Sequence, residues 1–211
     1  IGLTWDEPAY IAASESYMSW FEILTSHPAE AFRPEKIDVY WNANHEHPPL
    51  DKIWSGAIWS IGRFIFDDLV AHRLGNMILV AIMAALLYLW IAEEYGDLAG
   101  FGATLALFAM PRFFFHAHLA ALDVPIAFMV FLVSFFFWRG INEKSWKRTL
   151  FLGLVWGAAL ATKVNAFFIL PTLLIWILIF RREAYLIKRI VMMGVIGMPF
   201  SILLWPWVYH Q

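Results

Sequence analysis

The sequence predicts an all-α bundle of membrane-spanning helices. Of its 211 residues, 61% are hydrophobic and 18% are aromatic, and only 15% are charged. Soluble domains carry about a quarter of their residues as charged side chains. Several apolar stretches approach the roughly 20 residues that a helix needs to cross a bilayer, and no polar domain or linker separates them. We therefore interpret the chain as a polytopic membrane domain.

Charge and cysteine content exclude other classes of protein. The formal net charge is −2, so no basic surface indicates a nucleic-acid partner. The chain has no cysteine, which excludes a disulfide framework and a thiolate metal site. It opens at Ile1 and runs straight into an acidic motif, so we expect an N-terminally trimmed fragment of a longer protein.

Residues 1–72 are predicted to form an extracytoplasmic first loop that contains interfacial helices. Residues 1–26 show an amphipathic helical pattern that is too polar to span a membrane. Residues 27–41 contain two prolines and mixed charge, which favours a loop. Residues 51–66 are apolar but short, and Lys52 and Arg63 interrupt them, so this segment is expected to lie along the interface.

Residues 73–211 are predicted to contain about six transmembrane helices, which begin near residues 74, 98, 125, 150, 164 and 190. Residues 150–162 are rich in glycine and alanine, as closely packed membrane helices often are. If these helices cross the membrane in turn, the basic residues around 144–148 and 181–189 lie on the same side of the membrane. The positive-inside rule makes that side cytoplasmic. A multi-pass protein of the plasma (inner) membrane follows from this topology.

The opposite, extracytoplasmic side then collects most of the remaining ionisable residues. The densest cluster is residues 42–52, where the rigid Pro48-Pro49 step keeps the preceding residues extended. The candidate site residues on this side are Asp6, Glu7, Glu46, His47, Lys52, Arg73, His116, His118, Asp123 and Lys163. Ionisable groups at membrane depth are costly, which favours a functional role for them.

These residue types suit transfer of a group from a lipid phosphate. A carboxylate of the Asp6-Glu7 pair can act as general base, and Arg73 and Lys163 can stabilise a phosphate leaving group. Histidines with a further carboxylate can bind a metal ion. Four structural alternatives stay open. Thr4 and Glu7 can form a capping box. His116 and His118 can bond to backbone at a helix turn. Asp123 can cap a helix and Lys163 can reach the interface.

The motifs Asp6–Tyr10, Glu46–Lys52, Arg73–Asn76, Pro111–Pro125 and Gly157–Lys163 occur in this order along the chain. Together they resemble the protein O-mannosyltransferases and the lipid A aminoarabinose transferases, which share the GT-C membrane fold and use polyprenyl-phosphate sugars.

The resemblance implies an inverting sugar transfer to a protein, lipid or glycan acceptor, with Asp6 as base. Glu7 would support Asp6 or pair with Arg73. The substrate-binding positions would be Glu46, His47, Lys52, Arg73, His116, His118, Asp123 and Lys163. In the aminoarabinose enzymes the position of Glu46 can ligate a metal, so a divalent ion at Glu46 is a further expectation.

Two departures from the family pattern stand out. Relatives often have glycine where Asp51 stands, and arginine near His116 or His118. A histidine is a weaker and pH-dependent phosphate partner. The alternative function is a non-catalytic membrane protein that binds or flips a lipid-linked phosphate. Such a protein needs the cations but not the acidic pair, so neutralising Asp6 discriminates between the two.

Overall fold

The computed structural model describes residues 2–210, and within that range it contains helices and no strand. The α-helices are α1 (Glu7–Ser26), α2 (Pro28–Ala31), α3 (Pro34–Trp41), α4 (Leu50–Gly62), α5 (Asp68–Tyr95), α6 (Asp97–Ala109), α7 (Pro111–His116), α8 (Asp123–Arg139), α9 (Trp146–Thr162), α10 (Ile169–Phe180), α11 (Ala184–Leu203) and α12 (Pro206–His210). A short 3-10 helix, Val164–Phe168, precedes α10. The all-α prediction is therefore confirmed.

The segment 27–41, predicted as a loop, is mostly helical, so that prediction was wrong. Its two prolines are the first residues of α2 and α3. Proline is well suited to the first helical turn, where the missing N–H has no intrahelical partner. Helix α3 buries Ile37 and Trp41, and Trp41 stacks on Tyr17 of α1 with ring centroids 4.3 Å apart. These aromatic contacts fix the N-terminal helices as one small layer.

Helix α5 begins at Asp68, earlier than the predicted start at residue 74. The expected division of the chain between residues 72 and 73 therefore falls inside a helix, and Arg73 lies in its second turn. An acidic first turn favours this earlier start, because the helix dipole is positive there. Helix α4 has 13 residues, about 20 Å of length, which is shorter than the hydrocarbon core of a bilayer.

Two helices, α5 with 28 residues and α11 with 20, are long and apolar enough to cross a membrane. Helix α6 and the segment Val164–Phe180 are shorter and apolar. The predicted helix over residues 164–180 is divided, because its first turn is the 3-10 helix that follows Lys163. That about six helices cross the membrane stays a prediction.

The two basic loops lie at the same end of the bundle, as the sequence predicts. The Arg189 guanidinium donates to the Gly140 carbonyl at 2.7 Å, and Arg181 donates to the Asn142 side chain at 2.8 Å. Arg139 also pairs with Glu93 near the end of α5. These contacts join residues from both loops and from the helix ends next to them. The assignment of this end to the cytoplasm stays a prediction.

Helices α9 and α11 approach each other at glycines. A Cβ atom added to Gly157 would lie 2.5 Å from the Gly197 carbonyl oxygen and 2.8 Å from the Gly197 Cα. A Cβ added to Gly197 would lie 2.6 Å from the Gly153 carbonyl oxygen. The atoms in the way are backbone, which cannot rotate aside. The predicted close packing of the small-residue segment 150–162 is therefore confirmed.

We expect Gly157→Ala to lower the free energy of unfolding by about 1–3 kcal/mol, because the added methyl forces the two helices apart. The matched control is Gly102→Ala on α6, where an added Cβ meets no atom within 4 Å. That change should leave stability equal or slightly higher, since alanine is the better helix former. Thermal unfolding in detergent measures both. Equal melting temperatures for the two variants would contradict the packing described here.

Candidate functional site

Glu7 and Arg73 form a buried ion pair that joins the start of α1 to α5. The Glu7 side chain is fully buried, and Arg73 Nε and Nη2 each donate to its carboxylate at 2.7 Å. The backbone N–H groups of Thr4 and Ala120 donate to the same carboxylate at 2.9 Å. Burial alone would raise the pKa of Glu7, but the hydrogen bonds from Arg73, Thr4 and Ala120 outweigh it and lower the pKa to about 2.

This pair bears on three sequence expectations. Of the two roles implied for Glu7, the structure contains the pairing with Arg73. Glu7 balances the Arg73 charge within the protein, which weakens the electrostatic attraction that Arg73 can offer a phosphate. The capping box predicted for Thr4 and Glu7 is only half formed. The Glu7 carboxylate accepts from the Thr4 N–H, but Thr4 does not cap α1, because the helix begins at Glu7 itself. Asp6 stands just before the helix and is exposed, with no side-chain cap bond in the described structure.

Lys52 anchors the loop that carries Glu46 and His47. Its side chain is fully buried, and its ammonium donates to the Asn44 carbonyl at 2.8 Å, the Asn44 side chain at 3.0 Å and the His47 carbonyl at 2.8 Å. Asn44 has a positive φ of 51°, which asparagine tolerates better than most residues. A direct contact between Lys52 and a substrate, as the sequence predicts, would require this loop to open.

Tyr10, on α1, lies close to the histidine-proline loop. Its ring is 6.2 Å from that of His47. Burial raises the pKa of Tyr10 to about 12, and nearby negative charges add to the effect. The carboxylates that contribute are Asp6, Asp51, Asp123 and Glu46. Carboxylates that are far apart in the sequence thus act electrostatically on one phenol. Although Tyr10 belongs to the Asp6–Tyr10 motif, the sequence does not indicate a role for it, since one aromatic residue in an aromatic-rich chain carries no distinct signal.

Asp123 brings together two of the predicted cations. His116 Nδ1 lies 3.2 Å from Asp123 Oδ2, and Lys163 Nζ lies 3.8 Å from Asp123 Oδ1. Asp123 is the first residue of α8 and forms no side-chain cap bond there, so the capping alternative is not what the described structure shows. An open cavity of about 410 Å³ adjoins this group. It is lined by Met110, Arg112, Phe113, His116, Asp123 and Val124.

His118 does not join this group. Its Nδ1 donates to the Phe114 carbonyl at 2.7 Å, one turn earlier, which is the backbone-bonded alternative.

Asn76 is another residue to which the sequence assigned no role. Its amide donates to the carbonyls of Leu119 and Ala121 at 2.6 and 2.9 Å, and so holds the segment before α8 against α5. It lies in the Arg73–Asn76 motif, three residues after Arg73, which puts both side chains on one face of the helix.

Glu46 is exposed and accepts a hydrogen bond from the Asn44 amide at 2.9 Å. The pKa of Glu46 is lowered, first by a hydrogen bond from its own backbone N–H and then by the charges of His47, His45 and Lys52. Within residues 2–210, Glu46 is not part of a group of three metal-binding side chains, and one such group lies elsewhere, at Glu15, Asp68 and His72. A metal ion at Glu46 stays a prediction.

Asp51, first noticed only as a departure from the family pattern, is a buried carboxylate beside an apolar cavity of about 320 Å³. Its Oδ1 has no hydrogen-bond partner among the described residues. The cavity lies between α4, α5 and α8, with Leu79, Phe128 and Met129 in its wall. Burial raises the pKa of Asp51 well above its ordinary value of 3.8, although Lys52 beside it opposes the effect.

We expect Asp51→Asn to stabilise the protein at alkaline pH. The folded state binds this proton more tightly than the unfolded state, so the wild-type carboxyl costs stability as pH rises above 3.8. Melting temperatures at about pH 4 and about pH 8 should show the variant gaining on the wild type as pH rises. Glu35→Gln, at an exposed carboxylate of α3, is the control and should show no such gain. A wild type that gains on Asp51→Asn with rising pH would contradict the prediction.

Comparisons with known proteins agree with the predicted fold and family. A family model of the dolichyl-phosphate-mannose-protein mannosyltransferases matches residues 47–210. The fold resembles the crystal structure of ArnT from Cupriavidus metallidurans in the apo state, with a TM-score of 0.67 and 21% sequence identity. That alignment covers 96% of this chain and 37% of the ArnT chain, so this chain spans little more than a third of its length. A search of curated proteins found no significant match.

The ArnT likeness confirms a GT-C-like helical fold, and the family match gives the class of protein. Because the family model extends from the histidine-proline loop to the end of α12, it covers most of the chain and most of the candidate site. The chain therefore belongs to the dolichyl-phosphate-mannose-protein mannosyltransferase family of membrane glycosyltransferases.

Proposed function

We propose that this chain carries the catalytic acid cluster of an enzyme that transfers a sugar from a polyprenyl-phosphate donor to an acceptor hydroxyl or amine. The reaction takes place at the extracytoplasmic face of the plasma (inner) membrane, in a multi-pass protein. The acceptor is a protein, a lipid or a glycan. The observation that supports this proposal best is the hydrogen-bond network in which Glu7 accepts from Arg73 and from the Ala120 backbone, because it brings three of the sequence motifs together next to Asp6.

Asp6 is the general base in this proposal. It is exposed, whereas its neighbour Glu7 is buried and fixed by Arg73. The two carboxylates therefore have separate tasks: one faces solvent and can take a proton, and the other holds the start of α1 in position. A base must reach the acceptor's proton, and only the exposed carboxylate can do so without breaking a buried ion pair.

The reaction is a single displacement with inversion at the anomeric carbon. The acceptor oxygen or nitrogen forms a bond to that carbon while the bond from the carbon to the phosphate oxygen breaks. The acceptor's proton passes to the Asp6 carboxylate, and polyprenyl phosphate leaves with the bonding electron pair. Positive charge that develops on the sugar ring is stabilised by the surrounding carboxylates.

The leaving phosphate needs cations, and Lys163 is the best placed. Its side chain is about a third exposed and lies beside Asp123, next to the open cavity that also contains Arg112. Arg73 and Lys52 are enclosed by protein contacts, so we assign them to holding the site in shape. His116 lies 3.2 Å from the same aspartate. A divalent ion at Glu46 would order the loop that carries His47.

The test is to identify the lipid that co-purifies with the intact protein. Lipid extraction followed by mass spectrometry should show a polyprenyl phosphate or its sugar-linked form. The incubation of protein with that donor and a candidate acceptor should then release polyprenyl phosphate. If ordinary membrane phospholipids alone are bound and no donor is consumed, the proposal fails.

A further inference from the structure

A histidine and two carboxylates come together away from Asp6, about two turns further along α1 from Glu7. They are Glu15 on α1 and Asp68 and His72 on α5, and one ligand atom of each lies within 4.8 Å of the others. His72 is 1% exposed and stacks on Trp59 of α4, with ring centroids 5.0 Å apart and an interplanar angle of 9°. The group thus joins three helices.

The hydrogen bonds around His72 define its tautomer. The Ser14 hydroxyl donates its one proton to the Ile11 carbonyl at 2.7 Å. Its oxygen can therefore only accept from His72 Nδ1, which lies 3.3 Å away and must carry a hydrogen. In a neutral ring, the other nitrogen, Nε2, then presents a lone pair toward Glu15 Oε1 at 3.2 Å. A lone pair facing a carboxylate oxygen is repulsive unless a proton or a cation lies between them.

The spacing suits a cation. Two ligands bound to Zn²⁺ at about 2.0–2.1 Å in tetrahedral geometry lie about 3.3 Å apart, close to the observed distance between Nε2 and Oε1. Asp68 is exposed, and one of its oxygens accepts from Trp59 Nε1 at 2.6 Å, which orients the carboxylate. Ligating histidines and carboxylates are typically held by such outer hydrogen bonds. Solvent at Asp68 can complete the coordination.

We propose that Glu15, Asp68 and His72 bind a divalent transition-metal ion of the Zn²⁺ type. One imidazole and two carboxylates are ligands that suit Zn²⁺ or Mn²⁺. The ion clamps α1 to α5, and thereby fixes the segment that begins with Asp6 and Glu7 against the helix that carries Arg73. Its role is structural, and it is separate from the metal expected at Glu46.

Zn²⁺ titration of the intact protein, purified in detergent and stripped with a chelator, tests the proposal. Isothermal calorimetry should show a site that Glu15→Gln and Asp68→Asn each weaken at least about tenfold. Zn²⁺ should raise the melting temperature of the wild type and not that of Glu15→Gln. Ser14→Ala should also weaken binding by about tenfold, because Nδ1 loses the acceptor that fixes the tautomer. None of these readouts depends on sugar transfer.

Two controls locate the site. Glu22→Gln, an exposed carboxylate seven residues further along α1, should bind Zn²⁺ as the wild type does. Glu46→Gln should also leave this site unchanged, although it removes any ion bound at the histidine-proline loop. The proposal is overturned if no Zn²⁺ binds, or if binding survives Glu15→Gln and Asp68→Asn and is lost in Glu46→Gln. In that case His72 is a protonated partner of Glu15.

Discussion

Asp6→Asn should lower the rate of sugar transfer by about 10²- to 10⁴-fold, the range that a general base contributes. Asparagine has nearly the same shape as aspartate but cannot accept the acceptor's proton at neutral pH. Because Asp6 is exposed and forms no cap bond to α1 in the described structure, folding and membrane insertion should be unaffected. A single-turnover assay with polyprenyl-phosphate sugar measures the step directly.

The matched control is Asp38→Asn, which neutralises another exposed aspartate of the N-terminal helices. It should transfer sugar at the wild-type rate. Donor binding by Asp6→Asn should also remain close to normal, because the cations near the phosphate are untouched. An Asp6→Asn protein that binds the donor and transfers sugar at full rate would remove Asp6 as base. A wild type that binds the donor and never consumes it would favour the non-catalytic, lipid-binding alternative.

Hydrophobic segments could be predicted from the sequence because burial in lipid demands long apolar runs. Helices α5 and α11 were found in this way, although α11 begins six residues before its predicted start at residue 190 and α5 begins six residues before its predicted start at residue 74. The first turn of α5 is polar, and composition alone does not separate a polar helical turn from a loop. The same limit explains residues 27–41, where prolines that begin helices were interpreted as breaks.

The site was predictable where the argument depended on topology, and not where it depended on packing. The order of spans places the acidic N-terminus and Arg73 on one side of the membrane, and the family resemblance implies that Glu7 supports Asp6 or pairs with Arg73. The Glu7–Arg73 contact is 2.7 Å long. Nothing in the order of residues shows that Lys52 is saturated by carbonyl groups of its own loop. Nor does it show that Asp51 lies beside an apolar cavity. These features depend on how α4 packs against its neighbours.

Glu7→Gln should destabilise the folded protein by about 3 kcal/mol at neutral pH, because it leaves the buried Arg73 charge without its partner. The pKa gives a similar figure. The interval between 4.5 and about 2 corresponds to about 3 kcal/mol of preference for the ionised carboxyl in the folded state. This stabilisation is fully present above pH 4.5 and is lost as pH falls through that interval to about 2. Denaturant unfolding in detergent across this pH range measures it.

The shape of the pH dependence separates this pair from an ordinary surface pair. The stability difference between wild type and Glu7→Gln should be constant above pH 4.5 and should shrink below it. Glu143→Gln is the control, since its partner Arg148 lies only five residues further along, at the start of α9, and the carboxylate is half exposed. That change should cost much less stability than Glu7→Gln, because water screens a half-exposed ion pair. If Glu7→Gln lowered the free energy of unfolding no more than Glu143→Gln does, the Glu7–Arg73 pair would not be what stabilises the packing of α1 against α5. That packing would then depend on other contacts, such as those of the Glu15, Asp68 and His72 group.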